Sequence, residues 1–189
     1  MNSSIVRRAM ALGATAALLA ACRSAPLPAT PGVDGWAQVE HGRSLGAMRL
    51  KPAVCASADE RPDFETLDES ALVHFLAARG FPARIERARS DLVYVDVPTE
   101  PAHPVHWVRL RVAILPSPVQ AGQELHRAVL EQGTGSWGVH RGNLAVLAPV
   151  GELENILAFN AKTGLACWGV LTIARHDDDF VVPGGYREL

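Results

Sequence analysis

The stretch HWVRLRVAILPSPVQAGQELHRAVLEQG, residues 106–133, decides the architecture because its period changes half-way along. In its first part Val108, Leu110, Val112 and Ile114 fall on one side and Trp107, Arg109 and Arg111 on the other. Successive side chains of a strand point to opposite faces, so this alternation predicts a half-buried strand with its arginines outward. Ser117 then offers a helix cap, Pro118 stands at the first helical position where its missing N–H costs nothing, and Gly133 ends the run.

Two more helices carry similar punctuation. TLDESALVHFLAARGFP, residues 66–82, opens with a Thr66-x-x-Glu69 capping box, stacks Leu72, Phe75 and Leu76, and stops at Gly80. GELENILAFNAKTG, residues 151–164, has Glu152 and Glu154 early and Lys162 late, matching the helix dipole. Between them PARIER and LVYVDV flank ARSD as a hairpin, and LGAMRLKP supplies a weaker first strand. NLAVLAP and LACWGVLTIA are almost wholly apolar and read as central strands.

The resulting order is β-α-ββ-β-α-β-α-β. It predicts an α+β fold: a mixed sheet with helices on one face and Trp107, Arg109 and Arg111 on the other. Its core is expected to be a ferredoxin-like split β-α-β arrangement with an added α-β unit.

The amino-terminal end speaks of address. MNSSIVRR carries Arg7 and Arg8 without an acid, AMALGATAALL is uncharged, and AAC closes the segment. The apolar run is too short for a span, which needs about 20 residues. A basic start, a short apolar stretch and small residues before a cut describe a secretory signal peptide.

Leu19-Ala20-Ala21-Cys22 resembles the lipobox of bacterial lipoproteins. The resemblance covers about 22 residues. It implies cleavage between Ala21 and Cys22, a diacylglycerol thioether on Cys22, and acylation (palmitate or a similar chain) of the new amino terminus. Two or three acyl chains hold a soluble domain at a membrane where one anchors only marginally. Arg23 in place of an aspartate after the cysteine points, by the family's sorting rule, to the outer membrane.

The chain is therefore expected to divide into a signal peptide, 1–21, a lipidated tether, 22–35, and one globular domain, 36–189. The tether holds three prolines and two glycines, and its thirteen residues after Cys22 would reach on the order of 40 Å as polyproline helix. The formal net charge of −2 becomes −4 once Arg7 and Arg8 leave with the signal peptide. No basic stripe appears, so nucleic acid is not an expected partner.

Cys55 and Cys167 remain after Cys22 is set aside. In an oxidising compartment they could pair, and the sequence leaves open a disulfide or two buried thiols.

Chemical motifs are sparse. GTGSWG, residues 133–138, matches G-x-G-x-x-G, but the dinucleotide fingerprint needs a strand before it and a helix after. Here the helix comes first, so the motif reads as a helix stop and turn. His103 and His106 lack a placed third metal ligand, and Asp177, Asp178 and Asp179 lack calcium spacing. ILPSP and LAPVGE each lead a strand into a helix start. Parallel neighbouring strands would align Ser117 and Gly151 on one edge, where an anion could bind.

No catalytic motif, metal site or cofactor is found. The sequence therefore reads as a lipid-anchored envelope protein that binds or scaffolds partner proteins from the periplasm, with Trp107, Arg109 and Arg111 as a partner surface. The first alternative is an envelope hydrolase with a dispersed active site, which a cluster of His126, His140 and acids in one concave pocket would favour; the second is a small anionic-ligand binder.

Overall fold

The computed structural model describes residues 37–40, 43–56, 65–102, 104–176 and 181–189. Ala21, Cys22, His103 and the run Asp177, Asp178 and Asp179 lie outside the described residues.

The strands are β1 (Ala37–Glu40), β2 (Arg43–Pro52), β3 (Arg84–Arg89), β4 (Leu92–Pro98), β5 (Trp107–Ile114), β6 (Trp137–Arg141), β7 (Leu144–Ala148), β8 (Val170–His176) and β9 (Tyr186–Glu188). The helices are α1 (Glu69–Ala77), α2 (Pro118–Gln132), α3 (Leu153–Thr163) and the single turn α4 (Leu165–Trp168). One sheet runs in the order β1-β2-β8-β6-β7-β5-β4-β3, and β9 joins β2. The fold is α+β.

Directly opposed residues of an antiparallel pair share a face. Val93, Val112, Val146, Val139, Leu171 and Leu50 therefore form one row across six strands, and all six are buried. Leu72 and Leu76 of α1, Ile156 of α3, and Leu165 and Trp168 of α4 pack on this face. The next row, Arg111, Leu147, Gly138, Thr172 and Arg49, lies on the opposite face. There α2 sets Ala121, Leu125, Ala128 and Val129 against Ala145, Leu147 and Ala174. Gly138 admits the helix: a Cβ there would overlap the Leu125 side chain and the Val146 carbonyl.

Two expectations are corrected by this arrangement. The sheet is not mixed, because every described pairing is antiparallel. β5 and β6 run parallel but have β7 between them, and β7 and β8 run parallel but have β6 between them. The helices do not share one face, since α2 lies opposite α1, α3 and α4. Coverage on both faces explains why NLAVLAP and much of β8 are apolar without alternation, the pattern by which the sequence marks them as central strands.

Local details follow from capping. Ser117 accepts from Gln120 N–H at 3.3 Å, as its position in the sequence predicts. In α1 the cap is Asp68, whose carboxylate accepts from Ala71 N–H at 3.2 Å, in place of the Thr66 capping box. LACW forms α4 instead of starting a strand, because Gly164 turns left-handed at φ 73° and the Thr163 hydroxyl accepts from Leu165 N–H. Gly133 and Gly135, with φ of 88° and 83°, make GTGSWG a turn into β6.

Candidate functional site

Beyond the reach of α2, the same face of β3, β4 and β5 presents an ordered polar surface. Arg84, Asp96 and Arg109 form one row, and Glu86, Tyr94 and Arg111 the next. Arg109 is forked onto Asp96, with Nε to Oδ1 at 2.8 Å and Nη2 to Oδ2 at 2.9 Å. The same Nη2 lies 2.8 Å from Glu86 Oε2, and the guanidinium is 5.3 Å from the Tyr94 ring centroid. The Arg109 hydrogen bonds, more than its charge alone, hold the Asp96 carboxyl below its usual pKa, with desolvation opposing them. The same pairing raises the pKa of Arg109.

Trp107 is fixed at both ends. Its Nε1–H donates to Pro104 O at 3.1 Å, and Arg84 stacks over its ring at 4.6 Å. Arg111 is exposed and makes no ion pair among the described residues. Trp107, Arg109 and Arg111 thus lie together on one rigid, open half-face, bounded by the exposed strand β3. The ends of the folded part, β1 and β9, both pair with β2 at the far side of the sheet.

A second feature is a groove of about 310 Å³ between the β5 and β6 ends and α3. Val108, Trp137, Pro149, Val150, Ile156 and Phe159 form its walls. Trp137 and Phe159 meet edge to face with centroids 5.7 Å apart. Lys162 also lines it and is ion-paired with Glu100 of the loop after β4, both side chains being half exposed. The groove was not legible in the sequence, because its lining comes from four separate segments.

Other expected sites resolve differently. Cys55 and Cys167 are joined as a disulfide. Ser117 and Gly151 do not share an edge: β5 and β7 are antiparallel, with Ile114 opposite Leu144, so their following helices start at opposite ends of the sheet. Gly151 instead lines the groove. His106 is exposed on the loop before β5.

His140 stands under α2 beside Gly122, and His126 projects from α2 itself. Burial first, and then the Arg49 charge, push the His126 pKa down to about 4. Both effects make His126 a weaker base than a free imidazole. Among the described residues, no group of three or more His, Cys, Asp or Glu is placed to hold a metal ion, and no helix is long and apolar enough to cross a membrane.

No protein-family model, curated protein or solved structure matches this chain.

Proposed function

We propose that this chain is a lipid-anchored bacterial envelope protein whose folded domain binds or scaffolds another envelope protein. In this reading Cys22 is the lipidated first residue after cleavage at Ala21. The proline-rich tether lets the domain stand off the periplasmic side of the outer membrane. Two split β-α-β crossovers, β5-α2-β6 around β7 and β7-α3-α4-β8 around β6, support a split β-α-β core, with α2 and α3 on opposite faces of the sheet rather than together as in a ferredoxin-like arrangement.

The observation that carries the reading is the open half-face with Trp107, Arg109 and Arg111. Tryptophan and arginine are the residues most often found as interface hot spots. Here both are pre-set by neighbours, so binding would cost little side-chain entropy. The Cys55–Cys167 bond supports an exported protein, since such bonds persist in oxidising compartments.

The test is co-purification from gently solubilised envelope, comparing the unaltered chain with Trp107→Ala and Arg111→Glu. One or two near-stoichiometric companions, lost in both variants, would support the reading. Companions retained by both variants would remove this face from it, and a clean single band would count against a scaffold.

A further inference from the structure

The apolar groove beside α3 is independent of the partner surface, and the residues lining it define a ligand. Its volume of about 310 Å³ has room for roughly ten heavy atoms at the ~30 Å³ of a water-sized group. It lies at the small end of the range of ligand pockets and, like them, is mainly apolar with a few polar groups. The lining carries one charge, the Lys162 ammonium, alongside Thr99 and Asn155. Val150, at 59% exposure, leaves an apolar side chain open to solvent at the groove.

Glu100 now neutralises Lys162, but that pair is half exposed, and such pairs contribute only about 0–1 kcal/mol. A carboxylate carried by an apolar chain could displace Glu100 while its chain filled the groove. Glu100 would then return to water at little cost. We propose that the groove binds a free single-chain carboxylic acid of about eight to ten carbons, whose carbon chain takes up the groove while the two carboxylate oxygens lie outside it at the half-exposed Lys162. The chain lies along Trp137, Ile156 and Phe159, and the carboxylate sits on Lys162. A membrane phospholipid could offer an anionic head and an acyl chain too, but its second chain exceeds this volume.

The probe is decanoate, titrated by calorimetry and tryptophan fluorescence into the full chain carrying Cys22→Ser, without detergent. Saturable binding at one site per chain is expected. Ala158 is exposed on the groove wall, so Ala158→Trp fills the groove from outside the core and should weaken binding at least tenfold. Lys162→Met should weaken decanoate by about twofold to fivefold and leave 1-decanol unchanged. Circular dichroism and the melting temperature report whether each variant is folded.

No saturable binding by the parent chain would overturn the proposal. So would unchanged affinity in a folded Ala158→Trp variant, an equal loss for decanol in Lys162→Met, or equal affinity for decyltrimethylammonium. Retention on anionic phospholipid vesicles without decanoate binding would make the groove a membrane contact and overturn the free-acid assignment. None of these outcomes bears on the Trp107 face, whose test is companion loss in separate variants.

Discussion

Cys55, three residues beyond β2, is bonded to Cys167 on the single turn of α4, with Cα atoms 5.7 Å apart across a sequence separation of 112. A four-residue helix has little stability of its own. The bond fastens this turn to the segment leaving β2, above the face where Trp168 and Leu165 enter the core.

Opening that bond should destabilise the domain substantially. Closing a loop of about 100 residues restricts the unfolded chain by up to ~4.7 kcal/mol in the entropic account, and measured losses are about 2–5 kcal/mol. A double Cys55→Ser, Cys167→Ser variant should therefore melt roughly 5–15 °C lower. Mass spectrometry of the exported protein under non-reducing conditions should find these two thiols blocked; two freely alkylated cysteines would refute the pairing.

Arg109 makes the opposite case. Three close contacts to Asp96 and Glu86 surround a guanidinium that is half exposed, and exposed pairs contribute at most about 1 kcal/mol. Arg109→Met should lower the melting temperature by no more than a few degrees, yet reduce companion recovery if the face is the binding site. A loss of folding in this variant would show that the lattice is structural.

Gly138 is the point where α2 meets the sheet most closely. A methyl group there would overlap both Leu125 and the Val146 carbonyl. Backbone on one side and a buried leucine on the other leave no cheap escape, so Gly138→Ala should cost about 1–3 kcal/mol or more. Leu125→Ala destabilises by itself, but the loss in the double variant should be smaller than the sum of the two single losses, because the shorter side chain makes room for the methyl. Additive losses in the double variant would exclude the clash as the cause.

The alternation of β5 and the cap of α2 were legible because each element buries only one side, and the period of the sequence records which side. That alone brought Trp107, Arg109 and Arg111 to one face. The centre of the sheet was not legible in this way. β6, β7 and β8 are covered on both sides, so alternation disappears, and β6, WGVHR, is too short and too mixed in polarity to show a strand period before the turn at Gly142 and Asn143. LACW is apolar in either conformation, and only the left-handed Gly164 makes it helical. The short strands β1 and β9 take their form from pairing with β2, which no local pattern encodes.

Acid should weaken the domain in a window set by His126. Its folded pKa of about 4 lies below the ordinary 6.5, so the unfolded chain binds the proton first. Stability is full above pH 6.5, falls as the pH drops toward 4, and levels off below that. The imidazole is about half buried, and solvent screening limits the effect to ~1 kcal/mol, or about 2–4 °C in melting temperature. Asp68 and Asp96, whose pKa values lie below 3.8, add their losses only at lower pH. Melting curves between pH 7 and 4.5 should show the decline, and His126→Gln should flatten it. A decline that persists unchanged in the variant would assign it to another group.

The anchor makes the most direct prediction. If Leu19-Ala20-Ala21-Cys22 works as a lipobox, the sulfur of Cys22 is the acceptor of the diacylglycerol group, and cleavage depends on that modification. Cys22→Ser should then accumulate uncleaved and without acyl mass, while the unaltered chain is cut between Ala21 and Cys22 and gains lipid. Because one acyl chain binds a membrane only marginally, the unaltered protein should resist extraction by salt and alkali and yield only to detergent. An unaltered chain that is cut elsewhere, or that is released by salt with Cys22 unmodified, would remove the anchor. The domain would then be an ordinary secreted protein, and the tether would have no membrane to hold it to.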